Sequence, residues 1–362
     1  MKNFEAHLIT NKSNILYLSN FSGSTGFILQ TKNKTYLFTD FRYILRAKNT
    51  IKKNINLVDI TKMWKNTKAL EAHWQSILKE NKIKTLGLEE ENLTVTRYKK
   101  FIKISKIKGH KIKFKNISGE VEKLREIKTS NELLLIKESQ KINEKILVGI
   151  KKIIQKSLRT KKILKEIDLV WEIKKLAHLY KAEDISFEPI VAFGKNSASP
   201  HHLAGDTILK KGNLIMIDMG VKYKNYCSDM TRMFFTTSPT PLQEKIYNLV
   251  LEAQLSAIKN IHAGITGKKA DSFARKIIKK NGYKENFGHG SGHGIGLDIH
   301  ENPSLSEKYN KPLKQNSVIT IEPGIYIENE FGVRIEDMLI VKKSNVEIIT
   351  KANKDIKSSI IL

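Results

Sequence analysis

The sequence predicts an α+β protein built from two domains. Its 362 residues are more than one ordinary hydrophobic core organises, and domains are usually of about 50–200 residues. Short strand patterns alternate with helical patterns up to about residue 120. The capping-box sequence Thr129-Ser130-Asn131-Glu132 then begins a new helical region. We therefore predict a first domain over residues 1–122 and a second over residues 123–362.

Short apolar runs between turn residues predict the strands of the first domain. These runs are residues 15–18, 26–29, 35–39 and 86–89. From residue 64 to 81 the apolar side chains recur at helical spacing, which predicts a helix between the last two strands. An alternation of this kind favours an α/β arrangement.

The second domain shows apolar stripes typical of helices that pack against a core. The helix after Thr129 is predicted to bury Leu135, Ile142, Ile146 and Ile150. A helix over residues 161–180 has a stripe at spacings of three and four, made of Ile163, Ile167, Val170, Ile173, Ala177 and Tyr180. Further helices are predicted from Pro241 and from residue 268, and the second ends at Asn281-Gly282. Strands are predicted over residues 214–217, 318–321 and 333–335.

Charge and cysteine content exclude several classes of protein. The net charge is +27, but the lysines are spread over the whole chain, so a biased composition explains it better than a nucleic-acid partner. The single cysteine, Cys227, excludes an internal disulfide and a cysteine-based zinc site. We find neither a signal-peptide pattern nor an apolar run of about 20 residues, so we expect a cytoplasmic protein with no membrane partner.

Five metal-ligand residues stand out in the second half of the chain. They are Asp218, Asp229, His293, Glu322 and Glu336. Each lies in an apolar or glycine-rich stretch, where an unpaired carboxylate would be costly to bury. Two divalent cations would balance the four carboxylates, and this oxygen-rich set favours Mn, with Co, Fe or Zn as alternatives. The pattern predicts a two-metal hydrolase in which a metal-bridging hydroxide is the nucleophile.

The local spacing supports this interpretation. Asp229 follows Asp218 by 11 residues, which suits a hairpin that presents both carboxylates inward. His293 lies in the glycine-rich segment 287–296, whose glycines allow the backbone to approach a ligand closely. No register of these glycines gives the dinucleotide fingerprint followed by a helix. Both Glu322 and Glu336 follow β-branched apolar stretches, as ligands held on rigid strands should.

These residues belong to six motifs whose order and spacing match a known family. The motifs are ASPHH at 198–202, IDMG at 217–220, YCSDMTR at 226–232, HGSGHGIGLDIHE at 289–301, ITIEPGIYI at 319–327 and GVRIED at 332–337. The sequence resembles the Xaa-Pro aminopeptidases and Xaa-Pro dipeptidases (prolidases). The resemblance implies a creatinase-like N-terminal α/β domain. It also implies a pita-bread catalytic domain, with a curved, mainly antiparallel sheet flanked by helices.

The resemblance also implies roles for the site residues. Asp229 and Glu336 would bridge two metals, Asp218 would complete one, and His293 with Glu322 would complete the other. Glu322 would be the general base. His201 and His300 would steady the substrate and the tetrahedral oxyanion, and His289 would contact substrate. Tyr326 and Arg334 would support the leaving side and the metal shell. His201 is preferred over His202 because it directly follows the small-residue-Pro segment, and Arg334 could equally form an ion pair with a nearby carboxylate.

The resemblance leaves the substrate open between two related activities. Some prolidases have an arginine shortly after the HExP segment, available to the proline carboxylate, and Ser304 occupies that place here. This favours an Xaa-Pro aminopeptidase, with a dipeptidase as the alternative and creatinase activity as a remote one. A non-catalytic basic binding protein on the same fold is a further remote alternative. By analogy with the family we expect a homodimer that acts on peptides.

Overall fold

The structure, a computed structural model, describes residues 4–65 and 67–361 and divides into two compact units. The units are Met1–Arg125 and Glu126–Leu362. The predicted boundary after residue 122 falls inside the short helix Glu120–Arg125 and stays a prediction. Both units mix helices and sheets, as the predicted α+β class requires. Within the described ranges, no helix is long and apolar enough to cross a membrane.

The first unit is built on one six-stranded mixed sheet. Of the five pairings between neighbouring strands, three are parallel and two are antiparallel. Across the sheet the strands are Ile55–Asp59, Thr35–Thr39, Phe27–Thr31, Ala6–Ile9, Thr85–Leu88 and Lys113–Asn116. The predicted strands at 26–29, 35–39 and 86–89 are therefore confirmed within a residue or two.

Among the described residues of this unit, six α-helices accompany the sheet, and the first replaces a predicted strand. They are Lys12–Ser19, Phe41–Thr50, Thr61–Lys65, Thr67–Glu80, Val95–Ile104 and Glu120–Arg125. The prediction of a strand at 15–18 is wrong, because Asn11 caps a helix by accepting a hydrogen bond from the Asn14 backbone at 3.1 Å. A four-residue apolar run fits either structure. The predicted helix 64–81 corresponds to the third and fourth helices, and Asn66 lies outside the described residues.

Antiparallel sheets form the centre of the second unit. A three-stranded sheet contains Met230–Phe235, Leu214–Met219 and Ile190–Phe193 in that order. A five-stranded sheet contains Glu301–Leu305, Gly292–Gly294, Val318–Ile321, Asp337–Val341 and Val346–Ile348. Two smaller sheets contain Gly324–Ile327 with Phe331–Arg334, and Tyr226–Cys227 with Val221–Tyr223 and Asp184–Ile185.

Among the described residues of the second unit, five α-helices flank these sheets. Most of the predicted apolar stripes on these helices face the core. The helices are Ser130–Thr160, Glu166–Leu179, Pro241–Asn260, Gly267–Lys280 and Ile356–Ser359. The capping box is confirmed, since the Thr129 backbone N–H donates to the Glu132 carboxylate at 2.7 Å and the Glu132 N–H donates back to the Thr129 hydroxyl. The prediction of burial is wrong for two residues of these stripes, Ile163 and Leu135. Ile163 precedes its helix and is 65% exposed, and Ile136 rather than Leu135 is fully buried.

The hairpin predicted between Asp218 and Asp229 consists of two successive antiparallel strand pairs. Strands Leu214–Met219 and Met230–Phe235 pair directly, and a smaller pair, Val221–Tyr223 with Tyr226–Cys227, extends beyond them. A Cβ atom at Gly220 would lie 2.0 Å from the Ser228 carbonyl oxygen, so only glycine fits at the junction of the two strand pairs. Asp229 lies between Tyr226–Cys227 and Met230–Phe235, outside both strands.

Candidate metal centre

One cavity of about 700 Å³ in the second unit is lined by all five predicted ligands. Two of them come from the three-stranded sheet. Asp218 is the penultimate residue of Leu214–Met219, and Asp229 immediately precedes Met230–Phe235. These strands pair with Asp218 opposite Thr231. The pairing therefore brings the two aspartates to the same end of the sheet.

The other three ligands come from strands of the five-stranded sheet or from residues directly beside them. His293 lies on Gly292–Gly294, and Glu322 directly follows Val318–Ile321. Glu336 lies between Phe331–Arg334 and Asp337–Val341. A Cβ atom at Gly292 would lie 2.0 Å from the Thr320 carbonyl oxygen, so glycine is needed for this close approach.

The ligand atoms converge tightly around His293. One ligand atom each from Asp229, His293 and Glu336 lies within 4.8 Å of the others. The His293 Nε2 atom is 3.4 Å from Glu322 Oε1 and 3.6 Å from Asp229 Oδ2. The Nδ1 atom lies 3.1 Å from the Gly294 carbonyl oxygen, which can only accept, so Nδ1 holds the proton of the neutral ring. The Nε2 lone pair of that ring therefore faces the carboxylates, an arrangement that a cation between them would favour.

Arg334 compensates part of the negative charge. Its Nη2 atom donates to Asp218 Oδ2 at 2.6 Å, and both side chains are buried. Its Nε atom donates to the Thr231 hydroxyl at 3.1 Å, and that hydroxyl donates to Glu336 Oε2 at 2.8 Å. Arg334 therefore forms an ion pair with Asp218, and Thr231 connects the arginine to the carboxylate of Glu336.

Three buried carboxylate oxygens at this site have no hydrogen-bond partner. They are Asp218 Oδ1, Asp229 Oδ1 and Glu336 Oε1. Burial, followed by repulsion from neighbouring carboxylates, holds the pKa of Asp229 and of Glu336 well above their ordinary values. Burial also raises the pKa of Glu322. One arginine does not balance four carboxylates, so the donor set fits divalent cations on its own chemistry.

A hydrogen-bonded chain runs from Arg334 to the glycine-rich segment. Arg334 Nη1 donates to the Tyr326 hydroxyl at 2.8 Å. His289 Nδ1 lies 2.8 Å from the Gly290 carbonyl oxygen and must donate to it, so Nε2 accepts the Tyr326 O–H at 3.0 Å. Burial lowers the pKa of His289, which favours this neutral ring. Tyr326 is thus a partly buried support that does not line the cavity, whereas His289 does.

The two adjacent histidines at 201 and 202 differ in their contacts. His202 Nε2 lies 2.9 Å from the buried Glu166 carboxylate, which also accepts the Phe193 N–H at 2.7 Å. His201 is exposed and lines the cavity, as does His300. The ring of His300 stands edge-on to His293, with centroids 4.4 Å apart. Glu166 therefore holds His202 in a structural contact, and His201 remains available to a ligand.

Two threonines that orient the ligands, Thr231 and Thr320, were not predicted from the sequence. Thr231 bonds to Glu336 and Arg334, and Thr320 donates to Glu322 Oε1 at 3.3 Å while accepting the His293 N–H at 3.1 Å. Each threonine stands two residues from a predicted ligand, on Asp229-x-Thr231 and Thr320-x-Glu322. A period of two places Thr320 and Glu322 on one side of the chain, so that signal was available in the sequence, whereas Thr231 binds Glu336, 105 residues away.

The chain matches two family descriptions over most of its length. Residues 135–343 match Metallopeptidase family M24, and residues 1–127 match the Creatinase/Prolidase N-terminal domain.

Individual relatives have names that point to the same kind of enzyme. A putative Xaa-Pro aminopeptidase of Mycoplasma genitalium is 36% identical over 338 residues, 92% of this chain and 89% of the relative. The crystal structure of an X-Pro aminopeptidase from Thermotoga maritima is 34% identical, with a TM-score of 0.86 over 97% of each chain. An Xaa-Pro dipeptidase from Bacillus anthracis is 36% identical, with a TM-score of 0.89 over 98% of this chain and 94% of that one.

Proposed function

The chain belongs to metallopeptidase family M24, and we propose that it removes the N-terminal residue from peptides that have proline in second position. It is an enzyme of the Xaa-Pro peptidase type, with the pita-bread fold of its structural neighbours and a creatinase/prolidase N-terminal domain. The predicted family and fold are thereby confirmed. The aminopeptidase activity, the two-metal mechanism and the role of each residue are our proposal.

The five ligands would hold two divalent cations, which we propose to be Mn. The three unpartnered carboxylate oxygens and the inward Nε2 lone pair of His293 support this assignment. We assign Asp229 and Glu336 to both cations, Asp218 to one, and His293 with Glu322 to the other. When bound, the cations would polarise the scissile carbonyl and bring the pKa of a bridging water toward neutrality.

Glu322 is proposed as the general base. It lines the cavity beside His293, and burial raises the pKa of its carboxyl, which makes the carboxylate a stronger base. Glu322 would take the proton of the attacking water and return it to the proline nitrogen as the C–N bond breaks. That nitrogen is a tertiary amide without an N–H, so it gives a peptidase no donor to recognise. His201 and His300 would steady the oxyanion as it develops.

The charge of the cavity wall supports cleavage of peptides longer than two residues. Among the described residues that line the cavity, Arg334 is the only lysine or arginine. Its charge is paired with Asp218, and four of its five N–H donors are used by Asp218, Thr231, Tyr326 and the Pro200 carbonyl oxygen. A dipeptide would bring its free proline carboxylate into this site with no unused guanidinium or ammonium group to meet it. A longer peptide presents a neutral amide at that position, so we propose the aminopeptidase activity.

Three matched substrates test this proposal. We would compare an X-Pro dipeptide, the same dipeptide as its C-terminal amide, and an X-Pro-Y tripeptide, each with and without added Mn. One charged contact is worth about 1.5–3 kcal/mol, so kcat/KM should be roughly tenfold to a hundredfold lower for the dipeptide than for the other two. A dipeptide cleaved faster than its amide would contradict the aminopeptidase proposal. No cleavage of any of them would contradict peptidase action on X-Pro bonds.

The alternative is an Xaa-Pro dipeptidase, and one observation favours it. The exposed His201 and His300 line the cavity and, if protonated, could hold a carboxylate. Burial, followed by repulsion from His293, lowers the pKa of His300, so this ring is mostly neutral at pH 7. This weakens the alternative at neutral pH. A dipeptidase that depends on a protonated His300 would gain activity as the pH falls through the pKa of this ring.

Three further assignments are proposals by composition and analogy. We propose Mn because carboxylate oxygens dominate the ligand set. A homodimer is proposed by analogy with the family, and a cytoplasmic location because the chain has a single cysteine.

A further inference from the structure

The glycine-rich segment 287–296 holds two proposed site residues, His289 and His293, but has few side chains of its own. Five of its ten residues are glycine, which carry no anchoring group and lose the most backbone entropy on ordering. The close contact at Gly292 leaves no space for a larger residue. The order of this segment must therefore come from groups outside it.

We propose that Asp271 and Arg275, on helix Gly267–Lys280, position this segment for catalysis. The two side chains form a two-pronged ion pair, with Arg275 Nε at 2.6 Å from Asp271 Oδ2 and Nη2 at 2.8 Å from Oδ1. They lie one helical turn apart on one face of the helix. The pair is thus rigid before it contacts anything else.

The pair then contacts the segment backbone at three residues. Arg275 donates to the carbonyl oxygens of Phe287 at 3.2 Å and His289 at 2.7 Å, and its guanidinium carbon lies 4.3 Å from the centre of the Phe287 ring. Asp271 Oδ1 accepts both the Ser291 N–H at 3.0 Å and the Ser291 hydroxyl at 2.8 Å. Contacts at three alternate residues fix the direction of the backbone between them.

These contacts extend to the proposed general base. The Ser291 carbonyl oxygen accepts the Glu322 backbone N–H at 2.9 Å. Asp271 holds Ser291, Ser291 holds Glu322, and Arg275 holds His289, so one ion pair sets the positions of two cavity side chains. Neither Asp271 nor Arg275 lines the cavity, so both are positioning residues rather than catalytic ones.

The test compares Arg275→Lys, Arg275→Ala and Lys276→Ala. Lysine keeps the charge facing Asp271 but lacks the planar fork that reaches both carbonyl oxygens. Lys276 is the exposed neighbour on the same helix, so its alanine variant is a control for loss of one positive charge. Hydrogen exchange of residues 287–293 reports on the segment directly, and kcat and KM for an X-Pro-Y tripeptide report on catalysis.

We expect Arg275→Lys to keep its metal content, while segment exchange speeds up at least tenfold and kcat falls at least tenfold. Millimolar guanidinium should restore part of the kcat lost in Arg275→Ala, and Lys276→Ala should match the wild type. Unchanged exchange in both Arg275 variants, or faster exchange with unchanged kcat, would overturn the proposal. The catalytic part rests on the proposed function. An inactive wild type would count against that function, and exchange alone would then decide whether Arg275 orders the segment.

Discussion

Replacing Thr231 with valine should weaken metal binding without touching any proposed ligand. The buried Thr231 hydroxyl donates to Glu336 Oε2 at 2.8 Å and accepts from Arg334 Nε at 3.1 Å. Valine has nearly the same shape but neither donates nor accepts. A hydrogen bond to a charged group is worth about 1.5–3 kcal/mol, so Mn affinity should fall roughly tenfold to a hundredfold.

Two controls make this prediction specific. Thr231→Ser keeps the hydroxyl and should keep most of the affinity. Thr236 is a buried threonine just beyond the same strand, and its hydroxyl donates to the Asn213 carbonyl oxygen at 3.1 Å, so Thr236→Val applies the same chemical change away from the cavity. Isothermal titration of the metal-free proteins with Mn measures all four affinities. Affinity of Thr231→Val within twofold of the wild type would refute the reasoning that Thr231 orients Glu336.

Three other predictions address the ligands and the cavity wall. Asp229→Ala should lose bound metal and peptidase activity together, as measured by elemental analysis and tripeptide hydrolysis; full activity would rule out its bridging role. His201→Ala should keep both metals but lose turnover by about 10²–10³-fold if it is an oxyanion donor, and unchanged turnover would exclude that role. The raised pKa values of Asp229 and Glu336 mean that the metal-free site retains protons to higher pH than free carboxyls do. Mn binding should therefore release protons and strengthen as the pH rises through those values. Calorimetric titrations in buffers of different ionisation enthalpy measure the proton release. A heat of Mn binding that is the same in every buffer would contradict the predicted release.

Local sequence signals predicted the elements that depend on nearby residues. The Thr129–Glu132 capping box and the helix begun by Pro241 were predictable because their determinants lie within one helical turn. The apolar run at 15–18 was misassigned although its helix cap, Asn11, lies close by in the sequence, because a short apolar run fits a strand as well as a helix. A distant group also fixes the start of this helix. Asn14 is held by Glu89, 75 residues away, at 2.7 Å. Contacts over that distance leave no periodic trace in a single sequence.

The identity of the site residues was accessible from the motifs, but their arrangement was not. The motifs placed the five ligands, and all five line one cavity. The contact of Arg334 with Pro200, 134 residues away, and the capture of His202 by Glu166 depend on tertiary packing. Asp271 and Arg275 lie on a helix whose spacing suggests an ordinary surface ion pair. Only the fold shows that this pair faces the glycine-rich segment.

The most direct test is a crystal of the enzyme grown with Mn and measured at the Mn absorption edge. If divalent cations neutralise these buried carboxylates, the anomalous map should show two peaks between Asp218, Asp229, His293, Glu322 and Glu336. Both peaks should lie within bonding distance of Asp229 and Glu336. An active crystal with no peak there, or with the carboxylates directed away from one another, would contradict the account.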